Sequence, residues 1–125
     1  MSSIKSDLAS VRLPPLTPAV FHILLALADG RKHGYAILKQ VGVDGGQSLR
    51  MGPGTLYGSL QRMEAAGLVQ EFEDADDERR RFYDLTRAGQ RALADELSRL
   101  RDVLSAAKRK GMVTPNAVRA HGASR

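Results

Sequence analysis

Two groups of side chains in this 125-residue chain are suited to hydrogen bonding with a polyanion rather than to making or breaking bonds. The first lies in residues 52–67. Leu56, Leu60 and Met63 recur at i, i+4 and i+7, which predicts a helix with one apolar stripe. The other side of that helix carries Gly54, Gly58, Gln61, Arg62 and Ala65, with Thr55 and Tyr57 on its flanks, a slim face with an amide and a guanidinium, flanked by hydroxyls, but little carboxylate. Thr55 and Tyr57 can donate to phosphate oxygens, while Gln61 and Arg62 can reach adenine and guanine edges. An ordinary amphipathic surface helix is the plainer reading of the same stretch. The second group is Arg79, Arg80 and Arg81, placed directly after six acids at Glu71, Glu73, Asp74, Asp76, Asp77 and Glu78. The arginines suit phosphate or a minor groove, provided the acids turn away.

Catalytic signatures are missing. The sequence contains no Gly-rich phosphate loop ending in Lys-Ser or Lys-Thr, no His-Glu-x-x-His and no nucleophile elbow. Its three histidines, His22, His33 and His121, are far apart. Without cysteine there is neither a thiolate metal site nor a disulfide framework. The acidic run lacks the Gly and Asn positions of a calcium loop. The expectation is a non-enzyme with no cofactor and no metal. A net charge of +5 and a pI near 10.0 suggest a polyanionic partner. No apolar run approaches membrane-spanning length, and the first residues lack a signal-peptide core, so a cytoplasmic place is expected.

These groups need a scaffold, and the surrounding pattern supplies one. Thr17-Pro18 predicts a helix start, and Gly30 a stop. The intervening helix is apolar nearly all round. It calls for a second burial surface, either a partner chain or the centre of a monomer core. Residues 33–43 predict a second helix whose buried face is Tyr35, Ile37, Leu38 and Val41, with His33 structural. Residues 48–51 alternate as a short strand would. Pro53 and Gly67 mark the ends of the third helix. Residues 68–73 and 81–85 read as a hairpin around a charged loop, 74–80, which is expected to be long and mobile for want of Asn-Gly. Thr86 caps a last helix, about 87–110, in which Leu93, Leu97, Leu100 and Leu104 form a coiled-coil-like seam.

Helix, helix, strand, helix, hairpin and long helix describe a mainly α winged helix-turn-helix, with residues 52–67 as the recognition helix and the hairpin as the wing. The domain expectation is a flexible arm at 1–16, a winged-helix DNA-binding domain at 17–86, a C-terminal dimerisation helix at 87–111 and a disordered tail at 112–125. The expected DNA contacts are Gly54, Thr55, Tyr57, Gln61, Arg62, Arg79, Arg80 and Arg81. The expected dimer contacts are Phe21, Leu24, Leu25, Leu93, Leu97, Leu100 and Leu104. The alternative is a winged-helix protein-interaction module that does not bind DNA.

Four segments carry a family resemblance: Ala-Leu-Ala-Asp-Gly-Arg-Lys-His-Gly-Tyr-Ala-Ile at 26–37, Gly-Pro-Gly-Thr-Leu-Tyr-Gly-Ser-Leu-Gln-Arg-Met at 52–63, Ala-Gly-Leu-Val at 66–69 and Arg-Arg-Arg-Phe-Tyr-Asp-Leu-Thr at 79–86. Together they resemble the PadR family of bacterial transcriptional regulators, in its small branch with a single C-terminal helix. The resemblance implies a homodimer on double-stranded DNA that represses genes, with release by a small aromatic or drug-like effector in some members. Gly58 stands where the family often has proline, and the wing lacks the Gly-Pro often found before its basic residues. The chain has no Trp, so an indole-lined drug pocket does not carry over.

Overall fold

In the computed structural model, which describes residues 16–45 and 49–113, helix α1 (Pro18–Ala26) starts where the Thr17 hydroxyl accepts from the Val20 amide at 3.2 Å. A turn then runs to Gly30, whose φ of 134° suits only glycine. Two residues of strand, β1 (Lys32–His33), lead straight into α2 (Gly34–Gly45). Helix α3 (Pro53–Ala65) follows, then strands β2 (Val69–Asp74) and β3 (Asp77–Leu85), then α4 (Arg87–Arg109). The sheet is antiparallel in the order β1-β3-β2. The fold is mainly helical with a small sheet, a winged helix.

One apolar core holds the three helices to the sheet. It takes Ile23, Leu24, Ala26 and Leu27 from α1, Ile37 and Val41 from α2, and Leu56, Leu60 and Met63 from α3. Val69, Tyr83, Ala92 and Leu93 close it from the sheet and the start of α4. Removing such side chains from water is the main stabilising term, roughly 1.5–3 kcal/mol for each large aliphatic one.

The third helix ends as its sequence predicts. Gly67 has φ 79°, its amide donates to the Glu64 carbonyl, and the Leu68 amide donates to the Met63 carbonyl. This is a Schellman ending, which satisfies carbonyls the helix leaves free. Thr86 then fastens α3 to α4. Its amide donates to the Leu68 carbonyl at 3.1 Å, its hydroxyl donates to the Gly67 carbonyl at 2.5 Å, and that same hydroxyl accepts from the Gly89 amide at 3.0 Å.

Several expectations need correction. The extra strand is Lys32–His33, not 48–51: Leu49, Arg50 and Met51 are not in a strand, and 46–48 lie outside the described residues. Tyr35 is exposed, because Gly34 takes the inward position in that turn of α2. The wing loop is not long. The strands run to Asp74 and Asp77, and only Ala75 and Asp76 turn between them. Asp74 Oδ1 accepts from the Asp76 amide at 2.8 Å, an Asx turn that does the work expected of Asn-Gly. Leu24 and Leu93, expected at a dimer contact, are instead buried in the core of the chain itself. Of the expected arm at 1–16 and tail at 112–125, residues 1–15 and 114–125 lie outside the described residues.

Candidate nucleic-acid interface

Helix α3 turns Leu56, Ser59, Leu60 and Met63 inward. Gly54, Thr55, Tyr57, Gln61 and Arg62 are thereby left on its exposed side. The first turn contains no acid, and Gly52 caps the helix without a side chain, so the N-terminal end is slim and free of negative charge. A helix end of this kind favours an anion, through its free amides and dipole. Arg62 folds back along the helix and donates to Ser59 Oγ at 3.4 Å. Nothing lies within 4 Å of where a Cβ would stand on Gly54.

The wing brings its arginines into different settings. Arg81 faces Glu73 in the ladder, while Asp77 faces Asp74. Glu78, Arg79 and Arg80 therefore have no residue opposite them, and the register breaks into a bulge. Simple alternation does not hold there. Arg81 donates to Glu73 Oε1 at 3.2 Å and stands 4.0 Å from Glu71 Oε2. Arg79 lies 3.4 Å from Asp77 Oδ1 and is otherwise open to solvent. Among the described residues Arg80 makes no ion pair.

His33 fixes the base of the wing. Its ring stacks on Phe82 at 3.9 Å between centroids, and its Nε2 lies 3.4 Å from Asp74 Oδ2. Arg31 caps the Phe72 ring at 4.5 Å. Tyr83 donates to Glu71 Oε2 at 3.1 Å. Burial, followed by that bond and the nearby Glu71 charge, pushes the Tyr83 phenol up to about 12.

Two clefts adjoin α3. One, of about 390 Å³, is lined by His33, Gly34, Tyr35, Tyr57, Tyr83 and the three arginines Arg79, Arg80 and Arg81. The structure thus brings Tyr57 of α3 and the wing arginines to one opening. The other, of about 340 Å³, is lined by Gly58, Gln61, Glu64, Glu71 and their neighbours, and it is acidic. Gln61 therefore lies beside carboxylates rather than beside the arginines. Sequence reasoning did not single out Gly34 or Gly89. Both are helical glycines whose value lies in a neighbour from a distant segment, and the available signal for Gly34 was its place in His-Gly-Tyr.

On α4, Leu97, Leu100 and Leu104 are 42%, 38% and 44% exposed, with Val103 beside them at 54%. Phe21 and Leu25 on α1 are half-buried. Among the described residues no group of three His, Asp or Glu is placed to hold a metal ion, and no helix is long and apolar enough to cross a membrane.

Residues 23–95, more than half of the chain, match the transcriptional regulator PadR-like family. The chain is 39% identical over 83 residues to the transcriptional regulator Rv3488 of Mycobacterium tuberculosis, covering 66% of this chain and 75% of that one. It is 42% identical over 96 residues to an uncharacterized 37.1 kDa protein in transposon TN4556 of Streptomyces fradiae, covering 77% of this chain but only 25% of that relative's length. Among solved structures, Bacillus subtilis PadR in complex with operator DNA superposes with a TM-score of 0.59 at 23% identity, over 67% of this chain and 48% of that one. Sequence and fold agree with each other, and the chain belongs to the transcriptional regulator PadR-like family.

Proposed function

We propose that the chain acts as a cytoplasmic homodimeric repressor, each subunit setting α3 into a major groove and its wing against the adjacent backbone. The observation that carries this reading is the cleft shared by Tyr57 and Arg79, Arg80 and Arg81, beside a recognition face without acids in its first turn. Gly54, Thr55 and Tyr57 position the helix on phosphate, Arg62 and Gln61 read bases, and Arg80 adds a phosphate contact from the wing. The domain division follows the same reading, with the winged helix up to the Thr86 cap and α4 as the dimerisation helix. What supports the dimer is the exposed stripe Leu97, Leu100, Val103 and Leu104, which a second copy would cover. Phe21 and Leu25, half-buried on α1, are further residues proposed for the dimer contact. Two subunits then meet half-sites about 34 Å apart, or a multiple of it. Release by a small aromatic or drug-like effector rests on the family alone.

The test is binding of the purified chain to a duplex from its own upstream region, followed at two salt concentrations, with light scattering for its mass. Tight binding that weakens steeply with salt, by a dimer, is expected. A monomer, or a chain indifferent to the duplex, would refute the proposal.

A further inference from the structure

Gly34 opens α2 and is buried, with Tyr57 of α3 lying directly over it. A Cβ at position 34 would stand 2.7 Å from Cζ and 2.9 Å from Cε1 of Tyr57, and closer still to its hydroxyl. Real Cβ atoms essentially never sit that near another atom, so a methyl group and this placement of the ring exclude each other. The backbone at Gly34 does not itself need glycine, because its φ is not among the positive ones. The three nearest atoms to that position all belong to Tyr57, so it is this phenol that a side chain would meet first.

Tyr57 is 48% exposed, and it is the hydroxyl end of its ring that lies against Gly34. It has no hydrogen-bond partner for its hydroxyl among those found in the described residues. Gly34, Tyr57, Arg79, Arg80 and Arg81 line the same cleft.

We infer that Gly34 is a positioning residue for DNA binding: by lacking a side chain it lets Tyr57 lie across the start of α2, which aims the phenol hydroxyl into the cleft of the wing arginines, where a backbone phosphate sits. The inference rests on the DNA-binding role proposed above for that face. A methyl group at position 34 leaves the core residues in place and turns only the half-exposed ring away. Its effect should therefore fall on DNA affinity and not on folding.

The experiment is a double-mutant cycle on the full chain with Gly34→Ala, Tyr57→Ala and the pair, reading duplex affinity and thermal midpoint for each. A hydrogen bond from a hydroxyl to a phosphate supports a loss of roughly tenfold in affinity when it is removed. Gly34→Ala and Tyr57→Ala should each lose about that much, and the pair no more than Tyr57→Ala alone, since without the ring the methyl has nothing to displace. The midpoint of Gly34→Ala should stay within a few degrees of the parent, as a structural lesion would not. Nuclear Overhauser contacts between the Gly34 α-protons and the Tyr57 ring should be present in the parent without any DNA. If Tyr57→Ala weakens binding while Gly34→Ala binds like the parent, or if the two losses multiply, the inference is wrong and the DNA reading stands. A parent chain without salt-sensitive binding, or an unaffected Tyr57→Ala, overturns the DNA role of this face and the inference with it.

Discussion

Gly89→Ala should be the most damaging glycine substitution outside the turns. Gly89 sits in the first turn of α4, where a Cβ would collide with the Leu68 carbonyl oxygen and stand 3.1 Å from its carbon. Both atoms are backbone, so no side chain can swing aside. Either α4 moves off or the segment after α3 does. Overpacking of this kind costs about 1–3 kcal/mol. Separation also strains the Thr86 bonds to the Gly67 and Leu68 carbonyls, each contributing about 1 kcal/mol. Ala in place of Gly returns about 1 kcal/mol through helix propensity. With both bonds lost the net is about 2–4 kcal/mol, which lowers Tm by on the order of 10 °C in a domain of this size. Circular dichroism melts at fixed protein concentration measure it, with Gly42→Ala as the control. Gly42 is also helical and exposed but has nothing within 4 Å of its Cβ position, so that variant should melt at or above the parent. A Gly89→Ala chain as stable as Gly42→Ala would show that α4 does not press on the Leu68 carbonyl as tightly as described.

Gly54→Ala should raise stability by about 0.5–1 kcal/mol, as an exposed helical glycine with open space around it, yet weaken duplex binding by putting a methyl on the reading face. A variant that gains stability and binds normally would remove Gly54 from the interface. Arg80→Ala should flatten the salt dependence by about one unit of slope per subunit, and Arg81→Ala by less, because Arg81 is held by Glu73 and Glu71. Equal effects in the two variants would contradict that ranking. Leu97→Lys with Leu104→Lys should leave the winged helix folded but lower the mass seen by light scattering to that of a monomer. A surviving dimer would move the interface elsewhere. Tyr83 is the raised group, with its neutral phenol favoured in the folded chain. Its contribution to stability is full below about pH 10 and is lost as pH rises through about 12, so one of three tyrosines should ionise late in an alkaline absorbance titration. Tyr83→Phe should abolish that late step, and a late step that persists would assign it to another residue.

The ends of α3 were readable in the sequence because each rests on one residue and its own helix: Pro53 in the first turn and Gly67 in the left-handed position. The wing strands were readable from their aromatic and branched residues. What escaped depends on contacts across the chain. Strand β1 is two residues long and exists only because Phe82 and Tyr83 pair with it, so no local period marks it. The wing turn was expected to be loose because Asn-Gly is absent, yet the Asp74 carboxylate closes it by accepting the Asp76 amide. The leucine seam shows the limit most plainly. Leu93 and Leu97 are one step apart in the same periodic series, but Leu93 fills the core while Leu97 is exposed. Periodicity finds an apolar stripe and does not tell which part of it the chain's own core covers. In the same way, Gly34 and Gly89 are unremarkable in a helical pattern until Tyr57 and Leu68 are set beside them.

In the proposed complex with DNA, the wing bears on how affinity is shared between it and α3. Six acids against three arginines in residues 71–81 would make an evenly charged hairpin repel a duplex. Much of that acid charge is engaged within the fold. Asp74 lies against His33, Asp77 against Arg79, Glu73 against Arg81, and Glu71 accepts from Tyr83. The same pairs use up Arg81 and part of Arg79. The bulge then lifts Glu78, Arg79 and Arg80 out of the ladder together, so that the most available cation travels with an acid two residues away. A wing of this kind can touch a phosphate at one point but cannot lay a charged strip along the backbone. Most of the salt-dependent affinity must then come from the N-terminal end of α3 and from basic residues elsewhere in a chain of net charge +5. On this reading the wing fixes the register of the domain on the duplex more than it adds to the strength of binding.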